Sequence, residues 1–139
     1  MTSQRSALIP EGHSKPIGRY SPGVRVQVSG DSSLVFVSGQ VATDSQGKVL
    51  AAGDPGGQAR VVFERLAQVL AAAGGSLADL VSVTVYLTDV EADFAAVSAV
   101  RNEVLSEPPP ASVLVEVSRL AEPGCLVEIA GLAVVGRAQ

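Results

Sequence analysis

Residues 54–75 read DPGGQARVVFERLAQVLAAAGG, and here the chain stops alternating and begins to repeat like a helix. Asp54 is a good N-cap, and Pro55 suits the first helical position, where its missing N–H costs nothing and its fixed φ is already helical. Val62, Leu66, Val69, Leu70 and Ala73 then recur at helical spacing, and Gly74-Gly75 ends the segment. On either side the period is two. VRVQV (24–28) and LVFVSGQVA (34–42) precede it, with turn signals at Ser29-Gly30-Asp31 and Asp44-Ser45-Gln46-Gly47. VSVTVYL (81–87) follows, with Val81, Val83, Val85 and Leu87 on one face and Ser82, Thr84 and Tyr86 on the other.

A second helix is expected over roughly 91–106, with Phe94, Val97, Val100 and Val104 as its buried stripe; Pro108-Pro109-Pro110 ends it. SVLVEVSRL (112–120) and CLVEIAGLAVV (125–135) close the chain as strands. The order is β-β-(β)-α-β-α-β-β, an α+β domain with a five- to six-stranded sheet. Two amphipathic helices cover one face of such a sheet. Several strands are apolar on both faces, so self-association is the simplest cover for the other. Residues 1–16 are polar, carry Pro10 and Pro16, and are expected to form a flexible arm before a domain at 17–136.

At 139 residues the chain fits one domain. The net charge is −4, with no Lys/Arg cluster, which argues against a nucleic-acid binder that needs a basic stripe. Cys125 is the single cysteine, so no internal disulfide forms and a reducing, cytoplasmic setting is expected. No apolar run reaches the length of a membrane span, and MTSQRSALIPEGHSK lacks the apolar core of a signal peptide. With one His and one Cys, no metal-ligand set is visible.

The strongest local anomaly is Glu128. It shares a strand face with Leu126, Ala130, Leu132 and Val134. A carboxylate on an apolar face either pairs, for example with Arg119, or sits at a strand edge, or titrates high enough to act as a general acid or base. Glu116, on the preceding strand with Leu114 and Ser118, could form an acid–base pair with Glu128, but the favoured reading is a solvated or salt-bridged residue. Gly39, inside a strand, marks either a bulge or a close approach by a ligand or backbone. Tyr20 follows a flexible joint and either packs or caps a pocket. His13 reads as solvated and Cys125 as a small apolar residue.

Taken together, IGRYS (17–21), LVFVSGQV (34–41), VSVTVYLTD (81–89), DFAAVSAV (93–100), PPASVLVEVSRL (109–120) and LVEIAGLAV (126–134) resemble the Rid family, also called the YjgF family. The resemblance implies a chorismate-mutase-like fold with a mixed sheet, assembled as a homotrimer with small-molecule clefts between subunits. Its best understood members hydrolyse imines and enamines of the 2-aminoacrylate type without metal or cofactor. Carried over by position, the glutamate that helps activate water is Glu128. The pocket tyrosine is Tyr20, preceded by Arg19 where the family usually has proline. The backbone strand is Ser38-Gly39-Gln40, and Ser98 stands where the family has asparagine. The family's carboxylate-binding arginine, in its P-A-R-S stretch, is replaced by Ser112, and a frequent cysteine two residues on is Leu114.

A serine supplies no charge. Three outcomes are open: the substrate is shifted away from 2-aminoacrylate, Arg19 or Arg101 substitutes as the cation, or catalysis is lost. The expected function is therefore imine or enamine hydrolysis with water activated by Glu128. The alternative is a non-catalytic trimer that binds a metabolite or a protein. An endoribonuclease is disfavoured by the negative charge and by the lack of a His or Lys constellation.

Overall fold

The Asp54 carboxylate accepts a hydrogen bond from the Gly57 N–H at 3.0 Å, and Pro55 opens the helix, so α1 (Pro55–Ala72) starts where its cap dictates. The computed structural model describes residues 5–13 and 19–136. Around α1 stand β1 (Arg5–Leu8), β2 (Gly23–Gln27), β3 (Ser32–Gln40), β4 (Leu80–Leu87), α2 (Val90–Val104), β5 (Ala111–Glu116) and β6 (Val127–Gly136). The strands form one mixed sheet in the order β1-β2-β3-β6-β4-β5. β4 and β5, joined through α2, are parallel, and the other neighbours are antiparallel.

α1 buries Ala59, Val62, Phe63, Leu66, Val69 and Leu70. They meet Val35 and Val37 of β3, Val83, Val85 and Leu87 of β4, and Val127, Ile129 and Ala133 of β6. Full burial of a side chain such as Leu66 contributes about 1.5–3 kcal/mol, so this layer holds the fold together. The opposite sheet face is left open. Phe36, Val113, Val115 and Val134 are exposed there.

Four expectations are corrected. Residues 5–8 are not a loose arm: they pair with β2, Arg5 against Val26 through Leu8 against Gly23, and Leu8 is buried. Four residues are too short a run for periodicity to reveal. The arm's boundary at residues 16 and 17 lies outside the described residues. Val81 does not join Val83 and Val85 on the buried face. The register slips between Leu80 and Ser82, so Leu80 is buried and Val81 exposed. On α2, Val97 and Val100 are buried, but Phe94 is exposed and Asp93 lies inward in its place. Finally, β5 stops at Glu116 rather than running to residue 120, because its partner β4 ends at Leu87, the residue paired with Glu116.

Candidate functional site

Glu128 lies on β6 opposite Tyr86 of β4, on the face that the helices leave open. Beside it β3 carries one extra residue: Val37 pairs with Gly131, but Gln40 pairs with Ile129. This bulge turns Gln40 inward. It is buried, its Nε2 donates to the Ser38 carbonyl at 3.0 Å, and its Oε1 lies 2.7 Å from His13 Nε2. The bulge also brings Gly39 under Glu128. A methyl group at Gly39 would stand 2.8 Å from the Glu128 carboxyl carbon and 3.0 Å from its Cγ. The bulge reading of Gly39 therefore holds, while the group that approaches it within the chain is the Glu128 side chain and not backbone.

The Glu128 side chain is half-buried and has no hydrogen-bond or ion-pair partner among the described residues. Loss of solvent disfavours its charged form and pushes its pKa above the ordinary glutamate value. Arg119 does not pair with it; among the described residues the ion pair is Arg60 with Glu103. Glu116 is on the helix side, exposed, and accepts the Val90 N–H at 3.0 Å, so it serves the start of α2. His13 is not simply solvated, since it reaches Gln40. Cys125 is buried, and desolvation raises its thiol pKa, as suits a small apolar residue.

Tyr20 and Ser38 share a wide cavity of about 690 Å³ with Arg5, Arg19, Ser21 and Val24. The Ser38 hydroxyl donates to the Ser21 carbonyl at 2.6 Å, which ties the loop carrying Arg19 and Tyr20 to β3. Tyr20 itself is 53% exposed, so it is not packed into the core.

The remaining candidates lie elsewhere. Ser112 pairs with Val83 and Leu114 with Val85, both inward-facing residues, and Leu114 packs against the core. Ser112 opens instead onto a cavity of about 390 Å³ beside the end of α2, together with Arg101, Leu105, Glu107, Pro109 and Pro110. Arg101 Nη2 donates to Ser98 Oγ at 3.1 Å. The chain thus holds two separate groups. Arg19, Tyr20, Ser38, Gly39 and Glu128 are on the open side of the sheet, while Ser98, Arg101, Ser112 and Leu114 are on the helix side.

One contributor was missed by sequence reasoning. Gln58 of α1 is fully buried; its Nε2 donates to the Gly124 carbonyl at 3.0 Å, and its Oε1 accepts the Leu126 N–H at 2.7 Å. It fixes the chain two residues before Glu128. The available signal was a polar residue on the inward stripe of an apolar helix. Among the described residues no group of three or more His, Cys, Asp or Glu could hold a metal ion, and no helix is long and apolar enough to cross a membrane.

The profile of the family described as endoribonuclease L-PSP matches residues 11–135. A RutC family protein of Pyrococcus horikoshii is 38% identical over 129 residues, 93% of this chain and 97% of that protein. The crystal structure of RidA from the Antarctic bacterium Psychrobacter sp. superposes with a TM-score of 0.80 at 34% identity, covering 94% of this chain and 99% of that one. The YjgF protein of E. coli gives 0.76 at 30% identity, covering 93% and 98%. With its sequence matched over nearly its whole length and its mixed sheet and two helices matched in space, the chain belongs to the Rid family, the YjgF and endoribonuclease L-PSP family.

Proposed function

We propose that this protein hydrolyses a small imine or enamine in clefts between the subunits of a cytoplasmic homotrimer, with water activated by Glu128. The observation that carries this is the state of Glu128: half-buried, without a partner among the described residues, raised in pKa, and seated over Gly39 on an uncovered sheet face. A carboxylate so placed takes a proton from water as the oxygen adds to the C=N carbon. It returns the proton to nitrogen, and the adduct collapses to a carbonyl compound and ammonia.

The trimer is supported by the exposed Phe36, Val113, Val115 and Val134 on the open sheet face, the face that also carries Glu128, which further copies of the chain would cover. The substrate is shifted away from 2-aminoacrylate, because Ser112 provides no cation at the start of β5. A second reading, a non-catalytic trimer that binds a metabolite or a protein partner, is favoured by that same uncharged Ser112. RNA cleavage is not carried over from the family's description, since the net charge is −4 and His13, the single histidine, is engaged with Gln40.

The deciding experiment generates imines in situ from a pyridoxal-phosphate enzyme and its amino acid, with and without this protein. Accelerated decay that Glu128→Gln abolishes supports hydrolysis. Decay unchanged across a panel of imines with and without a carboxylate leaves the binding reading.

A further inference from the structure

We infer that His13 is a positioning residue for Glu128, acting through the side-chain amide of Gln40 on the β3 bulge against which the Glu128 carboxyl group lies. Its kinetic consequence rests on the proposed hydrolysis; the hydrogen-bonded arrangement does not.

The segment before His13 delivers it. β1 is fixed to the edge of β2 by pairing from Arg5 to Leu8. The chain then reverses: the His13 N–H donates to the Pro10 carbonyl at 3.2 Å, and Gly12, third residue of that turn, has a φ of 78°. A positive φ at the third residue marks a type II turn, which glycine adopts without strain. The turn leaves His13 half-buried, with its Nε2 2.7 Å from Gln40 Oε1.

The far side of that amide decides which atoms meet. Gln40 Nε2 donates to the Ser38 carbonyl at 3.0 Å and lies 3.5 Å from the Pro22 carbonyl. An amide nitrogen offers two hydrogens and no acceptor, so it belongs beside these carbonyls, and Oε1 faces His13. The oxygen only accepts, so His13 carries its proton on Nε2. His13, Gln40 and the Ser38 carbonyl thus form one run of hydrogen bonds with a single direction. It spans the bulge, because Ser38 and Gln40 flank Gly39, and the Gln40 amide bends back over it. Gly39 is the residue whose added methyl group would stand 2.8 Å from the Glu128 carboxyl carbon. Gln40 is buried, so its amide holds the inward side of the bulge while Gly39 meets Glu128 on the outward side.

A buried amide needs partners in any fold, and a histidine is an ordinary donor to one. That need alone predicts only a loss of stability when the donor is removed. Positioning predicts more: Gly39 moves, and kcat falls in the molecules that stay folded.

The test compares three variants of the intact protein. His13→Phe keeps a ring and removes the donor. His13→Gln puts an amide N–H where Nε2 stood. Gly12→Val strains the turn through its positive φ alone, since a side chain there meets nothing within 4 Å. His13 is the single histidine, so its ring signals in NMR spectra are unambiguous, and the neutral ring should hold its proton on Nε2. The Gly39 backbone amide and the Gln40 side-chain amide should shift in His13→Phe and Gly12→Val and return toward their wild-type positions in His13→Gln. On an imine that the protein hydrolyses, His13→Phe should lower kcat roughly tenfold or more with KM within about twofold, and His13→Gln should recover most of the loss. A proton on Nδ1, unmoved Gly39 and Gln40 signals in His13→Phe, or wild-type kcat in that variant would each overturn the role of His13. So would a glutamine variant that behaves as the phenylalanine one. Circular dichroism checks each fold, and Gly12→Val carries the test if His13→Phe does not fold. Absence of imine turnover in the wild type sinks the proposed reaction, and the NMR signals then decide the role of His13; turnover with unmoved signals sinks that role and not the reaction.

Discussion

The carboxyl group of Glu128 occupies the space where a side chain at Gly39 would begin: a methyl group there would stand 2.8 Å from the Glu128 carboxyl carbon. The β3 bulge creates this relation by setting two residues of β3 against one of β6. Gly39→Ala therefore acts on the glutamate and not on the backbone. The clashing group is the far end of a flexible chain that can swing away, so the change in stability should stay below about 1 kcal/mol. Imine hydrolysis should fall nearly as far as in Glu128→Gln. Chemical denaturation alongside the turnover assay checks both. A stable variant with full activity would separate Gly39 from the site.

Glu128→Gln should lower hydrolysis by roughly 100-fold or more, the usual contribution of a general base. It should also change the pH dependence of stability in a fixed direction. Burial raises the native pKa of Glu128 above its unfolded value. Between the two values the native state holds a proton that the unfolded state has released, so the group's contribution falls as pH rises through that window. The glutamine variant has no such loss. It should match the wild type below the ordinary glutamate pKa and exceed it above the raised one. Urea unfolding of both proteins at pH 4 and pH 8 measures the difference; a variant less stable at the higher pH would contradict the desolvation.

Gln58→Leu should destabilise the protein although the two side chains are similar in size. Leucine leaves the Gly124 carbonyl and the Leu126 N–H without their partner. Gly124 is exposed and Leu126 half-buried, so water can take up part of the loss, and the cost should lie toward the lower end of the about 1–3 kcal/mol of an unpaired buried group. The same change loosens the segment that leads into Glu128, so activity should fall more than the folded fraction does. Thermal unfolding and turnover below the midpoint distinguish the two effects.

The helix α1 was legible because cap, proline and apolar stripe all agreed at residues 54–75. Glu128 was legible for the opposite reason, as a charge that broke an apolar alternation. Val81 was not, since one bulged residue reverses the parity of everything before it, and nothing in VSVTVYL announces a slip. Phe94 was misplaced because α2 buries a narrow stripe, and helical spacing alone does not say which edge of the stripe meets solvent. Strand β1 has no pattern beyond four residues and forms because β2 offers it an edge. The division of the site residues between two sheet faces depends on the parallel register of β5 on β4, which pattern reading does not supply.

The open sheet face should be an interface. Phe36, Val113, Val115 and Val134 lie exposed on it, and a patch of that kind is seldom left to water. Light scattering should give a mass near three times the 14.1 kDa of one chain. Val113→Glu should dissociate the assembly without unfolding the subunit, because Val113 is 55% exposed within the single chain. A monomer at micromolar concentration in the wild type would remove the inter-subunit cleft.

The substrate range should be displaced from the smallest imino acids. 2-Aminoacrylate carries its carboxylate directly on the reacting carbon, so the anion and the attacking water must be held almost side by side. Ser112 supplies no cation at the start of β5, and Arg101 stands on the helix wall of the cavity. Within one chain Arg101 is on the helix side of the sheet and Glu128 on the open side, so Arg101 does not take the missing cation's place beside Glu128. We expect kcat/KM for 2-aminoacrylate to be lower by roughly 100-fold or more than that of an arginine-bearing family member, as for the loss of a pair of charge-assisted bonds. The comparison within this protein is an imine without a carboxylate, which loses nothing by the change. Ser112→Arg should raise the efficiency on 2-aminoacrylate relative to the neutral imine by returning charge to β5. Decay of 2-aminoacrylate as fast as that given by an arginine-bearing member would show that the cation at the start of β5 does not set the substrate.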